Sequence, residues 1–439
     1  MKIVSQSLLG IAVAAALSVA AFAAGAASDN AKSQETPDLG RPGDYPVGTK
    51  SREIQLPVRI TLSAAGVGKG ARLVGLRFWY PAATAKGTSA IYHHSGSMAD
   101  MSVYEVIEHG AALDGVAAAK GKFPLVVISH GFAGWSEQLS RLAEHLASRG
   151  YVVAAIDHHD MSFDSVPGFL LSFGKVLTDR ALDQQQIIRK LTDPAFVKSE
   201  PALASADNSQ LGLVGYSMGG FGALGTSGAN YDPAGKPFAG LPGASKAQAV
   251  AADAQTATLV DAVVLMAPWG GQPDHRAWTA SGLAAMKKPV LFIAGDQDDI
   301  VNYQEGVRWL FDNTKAADRY MLVYREARHN IAANTQDLSP NPSAEAVGYS
   351  REPVWRQDRL NQINQHFVTA FLDFTLKADT SKRRYLDVPT PVASDGKWPS
   401  AFGILDGGAT ASDGQPHYWR GFQRRWAVGM ELHHKAAGE

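Results

Sequence analysis

The sequence predicts an α/β protein built on a mostly parallel, doubly wound sheet, with an antiparallel strand pair on its N-terminal side. Three observations carry this. The segments 125–128, 152–156, 211–214, 262–266 and 290–293 are continuously apolar, as strands buried on both faces are. Stretches of helical period fall between them, which is the alternation of a sheet covered by helices. The first strands differ, because apolar and polar residues alternate along them.

In chain order, Ile54, Leu56, Val58, Ile60 and Leu62 share one face of a strand, and Pro57 within it marks an edge. The segment 73–80 can pair with it in antiparallel fashion. Ser136 is placed to cap a helix whose Leu139, Leu142 and Leu146 share a face, with Gly150 as its stop. Further helices are expected at 175–191, 219–229 and 303–313. A long one carries Ile363, Phe367, Ala370, Phe371 and Phe374 on one stripe. Beyond 379 the pattern is less regular, although Trp426, Val428, Met430 and Leu432 alternate as a strand would.

Composition narrows the function classes. Lys+Arg 41 against Asp+Glu 42, with no long basic run, argues against a nucleic-acid partner. With Cys 0 there are no disulfides, no thiolate chemistry and no Cys-based zinc site. Residues 1–26 combine one lysine, an apolar run over 8–23 and small-residue cleavage options at 21–23 and 24–26, the layout of a secretory signal peptide. That run is shorter than the roughly 20 residues needed to span a bilayer. The expected product is exported, to the periplasm or beyond the cell, without a membrane span. The organisation read from this is a signal peptide over 1–26, a linker or disordered segment over 27–52, a catalytic domain over 53–378 and a packed C-terminal extension over 379–439.

The chemistry concentrates at Gly215-Tyr216-Ser217-Met218-Gly219, which follows the apolar 211–214 and opens a small-residue helix. A serine between glycines at a strand-to-helix turn is the layout of a nucleophile elbow. Its hydroxyl is a poor nucleophile unless an imidazole takes the proton and a carboxylate orients the imidazole. Downstream, one strand runs into Gly295-Asp296-Gln297-Asp298-Asp299 and the next into Arg328-His329-Asn330. Ser217, Asp298 and His329 are the candidate nucleophile, acid and base. Asp296 and Asp299 remain alternatives for the acid, or turn-forming carboxylates.

Two N–H donors are needed for the oxyanion, and the backbones of Met218 and Phe132 are the candidates. Phe132 lies in Ser129-His130-Gly131-Phe132, where His130 reads as a structural histidine. His158-His159-Asp160 suggests either a metal site or, since adjacent histidines point apart, a pocket rim with a capping aspartate. On the second reading His158 joins Phe132 as a substrate-side residue, and no metal is expected. Trp269, beside Pro268 and two glycines, is either a core tryptophan or the wall of an acyl or aromatic subsite.

Phe78-Trp79-Tyr80-Pro81, Ser129-His130-Gly131, the segment 146–158 and the Gly-Tyr-Ser-Met-Gly-Gly elbow resemble the platelet-activating-factor acetylhydrolase and dienelactone-hydrolase-like branch of the α/β-hydrolases. The elbow, Ala267-Pro268-Trp269 and Gly295-Asp296-Gln297-Asp298 are also similar to bacterial cutinases and polyester hydrolases. The resemblance implies the α/β-hydrolase fold, Ser217 with Asp298 and His329 as its partners, Phe132 and Met218 as oxyanion donors, and Trp269 as a wall of the cleft. It also implies hydrolysis of a small or polymeric carboxylic ester without a cofactor. Polyester or phospholipid-type hydrolysis, a serine peptidase and a non-catalytic binding protein of this fold are the rival expectations.

Overall fold

The computed structural model describes residues 35–97, 103–160, 165–334, 344–397, 418–423 and 425–439. The expected signal peptide, and the part of the expected linker up to residue 34, lie outside them. Among the described residues eleven strands form one sheet: β1 (Val47–Ser63), β2 (Gly66–Pro81), β3 (Ser89–Ser97), β4 (Val103–Asp114), β5 (Phe123–Ser129), β6 (Val152–Asp157), β7 (Ala206–Tyr216), β8 (Ala262–Met266), β9 (Val290–Gly295), β10 (Arg319–Tyr324) and β11 (Met430–Lys435). Their spatial order is β11-β10-β9-β8-β7-β5-β6-β2-β1-β4-β3.

From β6 through β10 neighbouring strands are parallel, and every residue of β5, β8, β9 and β10 is buried. These are the strands whose sequences lack alternation, because helices cover both faces. One layer pairs α1 (Ser140–Ser148) with the long α5 (Gln357–Thr375), and the other pairs α2 (Val166–Thr192) with α3 (Met218–Thr226). A shorter α4 (Arg308–Asn313) follows one turn of π-helix at Tyr303–Val307. On α5 the side chains of Ile363, Phe367, Ala370 and Phe371 are all buried. No described helix is long and apolar enough to cross a membrane.

Several local expectations are corrected. The antiparallel pair β1–β2 breaks register between Leu56 and Arg59, at Pro57, which has no N–H for the ladder. The extra residue reverses the faces beyond it: Val58 is 67% exposed, and Arg59 turns inward to pair with Asp183. The segment read as a linker before residue 53 carries a 3-10 turn at Asp38–Gly40 and the first residues of β1 from Val47. Ser136 caps nothing; it is buried in a 3-10 turn and its hydroxyl donates to Glu137. The C-terminal segment is part of the sheet itself, since β11 runs antiparallel along β10. Met430 and Leu432 point into the core there, whereas Trp426 and Val428 precede the strand and are exposed.

Candidate active site

All the singled-out residues lie at the carboxyl ends of the central strands: the 130–133 loop after β5, His158 after β6, Ser217 after β7, Trp269 after β8, Asp298 after β9 and His329 after β10. Ligands of open α/β sheets bind along this edge. The elbow is the most constrained point of it. Ser217 has φ 52° and ψ −113°, a strained conformation for a residue with a side chain. Its own N–H donates to Met266 O at 2.9 Å, while its carbonyl accepts from Trp269 N and Phe221 N, each at 3.1 Å. A Cβ on Gly215 would lie 2.4 Å from Gly219 O, so the strand meets the helix only through glycine.

Ser217 is 6% exposed, and its Oγ lies 3.0 Å from His329 Nε2. On the other side of the ring, His329 Nδ1 donates to Asp298 Oδ2 at 2.8 Å. Since a carboxylate only accepts, the tautomer with hydrogen on Nδ1 follows, and Nε2 is left to accept the serine proton. Asp298 also accepts from Ile300 N at 2.9 Å and Val301 N at 3.1 Å. Burial acts to raise the Asp298 carboxyl, but His329 and these two N–H groups outweigh it and hold the pKa below the ordinary value.

The neighbouring aspartates are otherwise engaged. Asp296 accepts from Glu326 N at 2.7 Å, and Asp299 pairs with Arg328 at the surface. Sequence reasoning missed Glu352, whose two carboxylate oxygens accept from Arg328 N and Asn330 N, both at 2.7 Å, one on each side of His329. Only the folded chain places it there, and no local pattern around 352 marks it.

Met218 opens α3, where the first N–H groups have no partner within the helix. Phe132 sits in the 130–133 loop against Ser217: a Cβ on its neighbour Gly131 would lie 3.4 Å from Ser217 Cβ. The Phe132 ring meets Phe169 and Phe173 of α2 edge-on, at 5.7 and 5.6 Å between centroids. Phe173 continues to Trp269 at 5.3 Å, and Trp269 stacks on His275 at 5.4 Å. An aromatic row therefore runs from the loop to Trp269. Trp269 itself is only 5% exposed and packs on Phe221 behind it.

His158 does not line the substrate side; it is 1% exposed and directed into the protein. Its Nδ1 donates to Asp183 Oδ2 at 2.8 Å and its Nε2 accepts from Ser129 Oγ at 2.8 Å. Burial and the nearby Arg180 charge push its pKa well below the usual histidine value, so it stays neutral. This second serine–histidine–aspartate chain is out of reach of solvent, since Ser129 and Asp183 are fully buried. His159 turns the other way, 3.6 Å from Glu53. Asp160 pairs with Arg180 and accepts from Ala133 N at 2.9 Å. His130 is buried, with Nδ1 donating to Gly131 O at 2.7 Å and Nε2 accepting from His158 N at 3.1 Å.

Residues 66–167 match the family of platelet-activating factor acetylhydrolase, isoform II. That stretch runs from β2 to the start of α2 and contains the 129–132 loop, but not Ser217, Asp298 or His329. Among solved structures, a ferulic acid esterase from Streptomyces cinnamoneus is similar with a TM-score of 0.51 at 20% identity, over 78% of this chain and 94% of that one. With its mixed, mostly parallel sheet, its alternating helices and this neighbour, the chain has the α/β-hydrolase fold, and its N-terminal part is similar to the platelet-activating-factor acetylhydrolases.

Proposed function

We propose that the chain is an exported serine hydrolase of carboxylic esters that works through an acyl-enzyme on Ser217. The observation that carries this is the pair of contacts at His329, with Ser217 Oγ at 3.0 Å on one nitrogen and Asp298 Oδ2 at 2.8 Å on the other, at a strained elbow. His329 takes the Oγ proton as Ser217 attacks the ester carbonyl. The tetrahedral oxyanion forms against the N–H groups of Met218 and Phe132. His329 then gives the proton to the departing alcohol; it next takes a proton from the water that attacks the acyl carbonyl and returns it to Ser217 Oγ as the ester bond to the serine breaks and the acid leaves. No cofactor enters these steps. The apolar run over 8–23 supports export.

The row Phe132, Phe169, Phe173 and Trp269 favours an aromatic or medium-length apolar acyl group, and the neighbour's name, a ferulic acid esterase, agrees with an aromatic acid. A polymeric or lipid ester is the second reading, favoured by the exposed Val166, Phe169 and Leu170 at the start of α2 beside that row. Hydrolysis of aryl and alkyl esters of rising acyl length, together with labelling by an organophosphonate, tests the proposal. Ser217→Ala is expected to lose roughly 10⁴-fold or more in kcat and all labelling. A purified, folded variant keeping more than a few per cent of wild-type activity would show that the nucleophile lies elsewhere.

A further inference from the structure

The two oxyanion donors proposed above are held in different ways. A peptide unit is planar, so a backbone N–H points opposite to the carbonyl of the residue before it. The direction of the Met218 N–H is set by the Ser217 carbonyl, which two backbone groups of the core hold, Phe221 N and Trp269 N. The direction of the Phe132 N–H is set by the Gly131 carbonyl. That oxygen accepts from the adjacent His130 ring at 2.7 Å and from Arg180 Nη2 at 3.3 Å. His130 is a neutral donor held in turn by His158 N after β6, whereas Arg180 on α2 brings a charged donor to the same oxygen.

The following peptide is fixed by the same pair. Asp160 Oδ2 accepts from Arg180 Nη2 at 2.6 Å and from Ala133 N at 2.9 Å. Ala133 has φ 54°, a left-handed conformation that costs a non-glycine residue on the order of 1 kcal/mol and persists only where surrounding contacts impose it. One turn further along α2, Gln184 Nε2 donates to Gly219 O at 2.9 Å, on the nucleophile's own helix. Arg180 and Gln184 press against α3 so closely that a Cβ on Gly222 would lie 2.8 Å from Arg180 Cγ and 2.6 Å from Gln184 Nε2. One face of one helix thus contacts both halves of the oxyanion site.

Stability alone is a poor reason for this arginine. It is fully buried, and its Nε and Nη1 have no hydrogen-bond partner among the described residues. A buried ion pair with unsatisfied donors is matched or bettered by apolar side chains of similar volume. What an apolar residue cannot supply is a charged donor behind the Gly131 carbonyl, which polarises the peptide and strengthens the N–H on its far side.

Resting on the serine-hydrolase reading, we propose that Arg180, paired with Asp160, is a positioning residue that aims the Phe132 N–H at the ester oxygen. It touches no substrate, and its effect falls on the transition state, where the negative charge develops.

The test uses the purified full chain and the double variant Arg180→Met/Asp160→Asn, which removes both charges together, alongside Arg180→Lys, which keeps the charge but whose shorter side chain withdraws the donor from the place of Nη2. Both are measured on a short-chain aryl ester and its thionoester, whose sulfur accepts hydrogen bonds poorly. In each folded variant kcat is expected to fall about 10- to 100-fold, up to the loss of one oxyanion donor, with KM within about threefold. The ester-to-thionoester rate ratio should shrink by a similar factor, and the pH dependence of kcat should keep its position. A merely structural role would leave the ratio unchanged. Either folded variant with kcat within about twofold of wild type, or a kcat loss with a displaced pH profile, overturns the positioning role while leaving the esterase reading intact. A wild-type chain that neither hydrolyses esters nor is labelled at Ser217 overturns the reading on which it rests.

Discussion

A Cβ on Gly219 would lie 2.0 Å from the carbonyl oxygen of Ser129, so the helix after the nucleophile and the strand before the oxyanion loop touch through bare backbone. This contact sets the distance between the Met218 and Phe132 N–H groups. Gly219→Ala must push the two apart by about an ångström, and misplacement on that scale costs roughly 100-fold in rate. The expected result is a folded protein with kcat lowered by about that factor. Activity within a fewfold of wild type, measured on a short-chain ester, would show that the contact does not govern the site.

Asp298 is the one of three neighbouring aspartates that reaches His329. Asp298→Asn should cost on the order of 10⁴ in kcat, because an amide there can favour the wrong imidazole tautomer. Asp296→Asn loses part of an acceptor for Glu326 N, and Asp299→Asn loses a surface ion pair worth at most about 1 kcal/mol. Both should keep most activity. The rank order of the three purified variants decides the assignment, and Asp299→Asn as the most damaging would refute it.

Trp269 and Phe169 should separate a core role from a substrate role. Trp269 is nearly buried between Phe221 and Phe173, so Trp269→Ala should destabilise by roughly 3–5 kcal/mol and lower Tm sharply. Phe169 is 38% exposed at the outer end of the aromatic row. Phe169→Ala should leave Tm nearly unchanged and raise KM for aryl or medium-chain esters, with kcat on acetate esters preserved, because a wall binds ground and transition states alike. Tm and kinetics on two acyl lengths check both, and an unaltered chain-length preference in Phe169→Ala would remove that residue from the substrate path.

Four buried histidines should make the fold acid-sensitive. Burial, with the Arg180 charge for His130 and the Arg149 charge for His145 and His366, lowers each of these three to about 3, and His158 lies well below its ordinary value for the same reasons. Unfolded, each takes a proton as the pH drops below about 6.5; folded, none does until much lower. Their contribution is therefore complete above about pH 6.5 and is lost as the pH falls toward about 3, at up to roughly 1.4 kcal/mol per pH unit for each. The urea midpoint should be clearly lower near pH 5 than near pH 7.5, and equal midpoints would contradict neutral burial.

The amino-acid sequence by itself determined the features that are local or periodic. Unbroken apolar runs such as 262–266 exist only where both faces of a strand are covered, so they announce the parallel sheet. Gly215, Gly219 and Gly220 around Ser217 announce the elbow, because strand and helix meet there at distances only glycine allows. The order of Ser217, Asp298 and His329 follows from which loops end which strands. Tertiary structure decided what depends on partners distant in the chain. His158 is drawn inward by Asp183, 25 residues later on α2, and no pattern around 158 records that pull. Pro57 was legible as the mark of an edge, but the register shift beside it, which turns Arg59 toward the same Asp183, required the pairing with β2. Glu352, Arg180 and the edge strand β11 act through hydrogen bonds to segments distant in the chain, and the energy of such contacts comes from burial and geometry that arise only once the sheet has closed around them.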